Sequence, residues 1–274
     1  MKARLLAHLH EIVRERDPDG SPQGHAHVRA YIMRVLAGFG DVRMHGFEHL
    51  GRSHHNLILD LPGCDERPPI LVGAHFDAVP GSPGADDNGS ALAGLLELAR
   101  AFAATPARHP LRLVAFDLEE NERQGSRAYA HELKQGGERL KLMISLEMLG
   151  YRDRRPGAQK YPPGLRHFYP DRGDFIALIG NLRTLPVLPR LARRMRSAVP
   201  CEFLAVPCRG RVLPDTRRSD HASFWDLGYP AVMVTDTANM RNPHYHRPSD
   251  RIETLDLDFL AGVCSGLIDA LQAL

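Results

Sequence analysis

Four cysteines in 274 residues are too few for a secreted fold stapled by disulfides. Cys64, Cys201, Cys208 and Cys264 also lack the short paired spacing of a thiolate zinc site. Cys201 and Cys208 lie near enough in sequence to pair across a loop, but free thiols in a reducing cytoplasm are the expectation. No segment approaches the ~18–20 consecutive apolar residues that a membrane span needs. The opening stretch Met1-Lys2-Ala3-Arg4-Leu5-Leu6 has no unbroken apolar core and no small-residue cleavage site, so it reads as an amphipathic helix rather than a leader. A cytoplasmic location without membrane attachment is therefore expected. Charge of one sign is missing too. Lys and Arg number 35 against 33 Asp and Glu, leaving a formal +2, and the basic residues are scattered or sit in short clusters such as Arg152–Arg155. No nucleic-acid partner is expected. Neither an internal repeat nor a long linker divides the chain. Residues 1–274 are expected to form a single domain.

What is present is an alternation of helical and strand-like segments. Apolar spacing near 3.6 predicts helices over Arg4–Arg14 and Val28–Leu36, separated by the Pro- and Gly-rich stretch Asp17–Gly24. Asn56–Asp60 predicts a strand. Ile70–Ala74 is a short continuous apolar run, the pattern of a strand buried on both faces, and Leu111–Phe116, Leu142–Leu146, Phe175–Gly180 and Ala231–Val234 are predicted as further buried strands. Helices are predicted over Gly89–Ala103, Ser126–Lys134, Leu185–Met195 and Leu255–Leu271. The fold class expected is α/β: a central mixed, mostly parallel β-sheet with helices on both faces. Tyr151–Gly173 and Val206–Arg218 read as long irregular loops, which in a compact domain are commonly functional or disordered.

In such sheets, sites form beyond the carboxyl ends of the parallel strands. Each buried run here except Phe175–Gly180 delivers an acid, an imidazole or both at that end. His75-Phe76-Asp77 follows the first. Gly84-Ala85-Asp86-Asp87-Asn88-Gly89-Ser90 follows the next loop. Asp117-Leu118-Glu119-Glu120 follows the second run, Glu147 the third, and Asn242-Pro243-His244-Tyr245-His246 comes within a dozen residues of the last. Each has an ordinary structural use when alone: a loop hydrogen bond, a helix cap, a solvated acidic pair. Five in succession do not. Carboxylates gathered without counter-charge repel, burying them costs several kcal/mol each, and metal ions remove that cost.

With Ser219-Asp220-His221-Ala222-Ser223-Phe224 added, these stretches resemble the M28 family of zinc peptidases, which includes bacterial dizinc aminopeptidases. The resemblance runs from about residue 54 to residue 254. It implies a zinc-aminopeptidase type of fold, of about eight strands. It implies two divalent ions, zinc foremost. Asp87 would bridge them, with His75 and Glu147 completing one ligand set and Glu120 and His246 the other. It also implies Glu119 as general base and Asp77 as the partner that fixes the His75 tautomer. Many relatives carry Asp where this chain has Glu147, a change that keeps a ligand but raises the plausibility of cobalt or manganese. Tyr245 either stabilises an oxyanion, as in some family aminopeptidases, or packs against its loop.

The chemistry is self-consistent. Three ligand carboxylates and a bridging hydroxide balance two divalent ions, which lower the pKa of water and polarise the scissile carbonyl. Glu119 is then free to move the proton to the leaving amine. The expected substrate is a short peptide or aminoacyl compound with a free amine, recognised by Glu147 or, less well placed, Glu122. Arg209, Arg211, Arg217 and Arg218 form either a solvated basic loop or a fork for a substrate carboxylate. Ser219, Asp220 and His221 are consecutive and cannot form a catalytic relay; Asp220 is expected to orient a site residue or cap the following helix. Three alternatives stand beside the aminopeptidase. A single-zinc glutaminyl-cyclase-like acyltransferase is disfavoured by the five ligand positions. An amidohydrolase or deacetylase acting on small N-acyl compounds would use the same metals. A non-catalytic binding module is at odds with an intact Glu119.

Overall fold

The computed structural model describes residues 1–274. It places strands β1 (Val42–His49), β2 (Arg52–Leu61), β3 (Ile70–His75), β4 (Leu111–Phe116), β5 (Leu142–Glu147), β6 (Ile176–Asn181), β7 (Cys201–Val206) and β8 (Ala231–Thr235) in one sheet, ordered β1-β2-β4-β3-β5-β8-β6-β7. The centre is parallel: β3 lies between β4 and β5, and β5 continues to β8. β1–β2, β2–β4 and β6–β8 run antiparallel, while β6–β7 is parallel. Val72 stands opposite Leu113 on one side and Ile144 on the other.

The predominantly apolar runs conceal a period of two, because successive strand side chains point to opposite faces. Leu57, Leu59, Ile70, Val72, Leu111, Leu113, Leu142 and Ile144 face the larger core, against helices α1 (Lys2–Ile12), α2 (Pro22–Ala37), α3 (Ala91–Ala104), α5 (Leu188–Met195) and α7 (Leu257–Gln272). Ile58, Leu71, Val114, Phe116 and Met143 face the smaller core under α4 (Gln124–Gln135) and α6 (His221–Asp226). Both faces are covered, so the chain is a single mixed α/β domain. No helix is long and apolar enough to cross a membrane, and all four cysteines are free thiols.

The predicted elements are all present, with shifted ends. The second helix begins at Pro22 rather than Val28, because proline suits the first turn, where its missing N–H has no intrahelical partner. Two edge strands lack a sequence signal. β1 (VRMHGFEH) is only patchily buried, and β7 (CEFLAV) is fully buried only at its two ends. An edge strand can carry polar residues on its open side, which blurs the alternation. Residues 151–173 have almost no regular structure and are closed by an isolated bridge between Asp153 and Gly173.

Candidate metal centre

The parallel core brings the carboxyl ends of β3, β4, β5 and β8 to one edge of the molecule. His75 is the last residue of β3 and Glu147 the last of β5. Glu119 and Glu120 follow β4. Asp87 lies in the irregular turn Ala85–Ser90 that precedes α3. His246 lies in the loop after β8.

These residues converge. The His75 imidazole Nε2 lies 3.3 Å from Asp87 Oδ1 and 3.7 Å from Glu147 Oε1. The His246 Nε2 lies 3.1 Å from Asp87 Oδ2 and 3.3 Å from Glu120 Oε2. Asp87 therefore turns one carboxylate oxygen to each side. Two groups of possible ligand atoms result, His75/Asp87/Glu147 and Asp87/Glu120/His246, each within 4.8 Å, and a third links His75, Glu119 and Glu120. The donor set suits zinc, which accepts imidazole nitrogen and carboxylate oxygen. Two atoms of the set, His75 Nε2 and Glu120 Oε1, are buried without a hydrogen-bond partner. Buried polar atoms are normally satisfied, and a cation between the donors accounts for both orphans. The residues fit a divalent metal pair.

Surrounding groups hold the donors in place. Asp77, fully buried, accepts the Glu119 N–H on Oδ1 and the Glu120 N–H on Oδ2, each at 3.0 Å. It also lies 3.2 Å from His75 Nδ1. With the hydrogen on Nδ1, the ring presents the Nε2 lone pair to the centre. Ser219 donates to Glu147 Oε2 at 2.7 Å. Asn88 straps the end of β5: its amide donates to Leu146 O, and its carbonyl accepts the Met148 N–H, both at 2.9 Å. The Asp250 carboxylate accepts the N–H groups of Asp86 and Asp87. Sequence reading missed Asn88, Ser219 and Asp250 as site residues. Asn88 and Ser219 lay inside recognised motifs, but Asp250 is an acid in a Pro-Ser-Asp loop with nothing local to mark it.

The electrostatics are those of crowded acids. Burial drives the Glu119 carboxyl well above the usual range, and nearby Glu147, Glu120 and Asp220 add to this against the pull of His75. Burial and Asp87 lift Glu120 to about 7. Burial disfavours a charge on either imidazole. Even so, Glu147, Asp77 and Asp87 raise His75 well above its ordinary value, and hydrogen bonds to Asp87 and Glu120 lift His246 to about 10.

Other expectations land differently. Asp220 is fully buried, but both its oxygens lack partners, and it makes no side-chain bond capping α6. The expected cap is absent because Asp220 already has helical backbone angles (φ −51°, ψ −32°), whereas a capping residue is normally non-helical. Glu122 points away from the centre, 84% exposed beside Arg127, because the chain turns at a positive φ there. Arg217 binds Asp226 and the carbonyl of Arg209. Arg218 instead donates to the Tyr245 hydroxyl at 3.0 Å. The Tyr245 ring stacks on His246 at 3.7 Å between centroids. Beside Glu147 and Tyr245 opens a cavity of about 110 Å³, continuous with solvent, whose walls include Phe175, Ala177, Ile179, Phe203 and Met233. The irregular segment 151–173 supplies Tyr161, Leu165 and Tyr169 to its rim.

Known proteins share both the sequence pattern and the architecture. The model of "Peptidase family M28" matches residues 56–171 and 206–270. An uncharacterized protein of Escherichia coli, YfbL, is 37% identical over 256 residues, covering 88% of this chain and 78% of that protein. A probable leucine aminopeptidase of Trichophyton verrucosum is 27% identical over 220 residues, covering 75% of this chain, which spans about half (53%) of the fungal protein's length. The LapA aminopeptidase of Legionella pneumophila superposes with a TM-score of 0.76 at 18% identity, over 100% of this chain and 72% of that one, and so shares the fold. The matched segments carry every one of the five convergent donors, and on that match the chain belongs to peptidase family M28.

Proposed function

We propose that the protein is an aminopeptidase that uses two divalent ions, zinc foremost, to hydrolyse the amide bond next to a free N-terminal amine. One observation carries this reading: Asp87 offers a separate carboxylate oxygen to each of two His-plus-carboxylate groups. His75, Asp87 and Glu147 would hold one ion, and Asp87, Glu120 and His246 the other. Bound ions supply Lewis acidity, polarising a carbonyl and bringing the ionisation of water toward neutral pH.

The chain's own residues do the rest. Glu119 offers an oxygen within 4.8 Å of His75 and Glu120, one residue from each group, without belonging to the pair that shares Asp87. Its carboxylate takes a proton from the attacking water and passes it to the amide nitrogen as the C–N bond breaks. Asp77 keeps Glu119 and Glu120 in register through their backbone N–H groups. Glu147, on the cavity wall, faces the substrate's ammonium group with negative charge. The apolar cavity receives the side chain of the N-terminal residue, which favours leucine-like or aromatic residues over charged ones. Tyr245, backed by the Arg218 guanidinium, is set to donate to a developing oxyanion.

The direct test pairs metal analysis with a substrate panel. The expected result is about two ions per chain and chelator-sensitive hydrolysis of leucyl p-nitroanilide, with none of its N-acetyl derivative. Turnover of the acetylated compound alone would point to an amidohydrolase. One ion per chain with cyclisation of N-terminal glutamine would point to the acyltransferase.

A further inference from the structure

Arg16 lies between α1 and α2, outside the family-matched segments, and its side chain is fully buried. Its guanidinium has five N–H donors, and all five are used on main-chain carbonyls. Nε donates to Phe76 O at 2.9 Å. Nη1 donates to Pro83 O at 2.6 Å and Arg14 O at 3.3 Å. Nη2 donates to Gly84 O at 3.0 Å and Asp87 O at 3.2 Å. No carboxylate lies in ion-pair contact with it. Burial disfavours the charge, and the carboxylates of Asp87, Asp250, Asp77 and Glu120 oppose this only from beyond contact, so the arrangement calls for a reason beyond packing.

The acceptors supply one. Phe76 is the residue between His75 and Asp77, and Asp87 is the shared donor of the candidate metal pair. These carbonyls lie in loops, outside the sheet ladder. Rotating either peptide plane would swing a ligand side chain. Gly84 has a left-handed backbone (φ +59°), and a Cβ there would stand 2.8 Å from both Nη atoms and 2.2 Å from Asp87 O. The turn is thus wrapped tightly around the guanidinium. Val13 and Ile12 lie against Gly89 at the far end of the same turn.

We infer that Arg16 is a positioning residue of the metal centre: its guanidinium pins the His75–Asp77 and Gly84–Asp87 main chains at the separation that the shared ligand set requires. The inference rests on the reading that these donors hold metal, and the test separates the two. Metal-free wild type, Arg16→Lys and Leu5→Ala are titrated with Co²⁺ and followed by its visible d–d absorption. Lysine keeps the charge but cannot make the five-bonded fork. Leu5→Ala loosens α1 from the core without touching the guanidinium.

Arg16→Lys should bind Co²⁺ about 10- to 100-fold more weakly, with an altered band shape. Leu5→Ala should melt at a lower temperature yet bind Co²⁺ like wild type. Wild-type affinity in Arg16→Lys, or equal weakening in Leu5→Ala, overturns the inference. If Arg16→Lys does not fold, wild-type NMR decides: the Arg16 Nε–H resonance should shift on saturation with Zn²⁺, and a fixed resonance overturns the inference. Wild type that binds no Co²⁺ would instead sink the metal reading itself.

Discussion

His221 offers a test of the structure that does not depend on catalysis. Its ring is fully buried, edge-on to Trp225 at 4.4 Å between centroids. Nε2 donates to Thr216 O at 2.8 Å, and Nδ1 has no partner. Burial pushes the pKa down to about 3, with Arg123 and Arg217 adding to the effect and only the Thr216 carbonyl opposing it. An unfolded histidine titrates near 6.5. Between about pH 6.5 and pH 3 the unfolded chain therefore holds a proton that the folded chain refuses. The unfolded state binds more protons in that window, so stability rises with pH and is lost as pH falls. At about 1.36 kcal/mol per pH unit, acidification from pH 7.5 to 5.0 should cost ~2 kcal/mol through this one group. His221→Gln keeps a donor for Thr216 O and cannot titrate. Urea unfolding in the presence of chelator, at both pH values, isolates the effect from metal release and from other acids common to both proteins. Wild type should lose ~2 kcal/mol more than the variant. Equal losses in the two proteins would show that the folded state accepts the proton, and the burial argument would fall.

Three further outcomes are expected. Glu119→Gln should retain both metals by elemental analysis while losing roughly 10²–10⁴ in kcat; near-normal turnover would remove Glu119 from the base role. Asp77→Asn replaces one of the two acceptor oxygens that hold the Glu119 and Glu120 N–H groups. It should weaken metal binding about 10- to 100-fold, read by competition with a chromogenic chelator, with the far-UV spectrum unchanged. Ala177→Leu narrows the apolar cavity. It should lower kcat/KM on leucyl substrates by about 10-fold or more and leave alanyl substrates nearly unaffected, as a comparison of the two p-nitroanilides would show.

Some of the architecture was legible because burial writes itself into composition. β3, β4, β5, β6 and β8 are largely covered on both faces, so they read as predominantly apolar runs whatever they pair with. β1 and β7 were not legible: their polar residues and partial burial match a loop as well as a strand. The donors were legible because each closes a buried run or its following loop, where a charged residue is out of character. The residues that hold those donors were not. Asp250 and Arg16 act on backbone groups far away in sequence, and a side chain that bonds a distant main-chain atom leaves no local pattern.

By itself, then, the sequence determined the α/β class, the strand-end placement of acids and imidazoles, and membership of a peptidase family. These follow from local hydrophobicity and motif spacing. Only the tertiary structure decided that the two oxygens of Asp87 face opposite ligand groups, that Glu122 turns outward, that Arg218 reaches Tyr245, and that an apolar cavity opens beside Glu147. Those facts depend on side-chain direction and long-range contact, which arise when distant strands are laid side by side and which no single stretch of chain encodes.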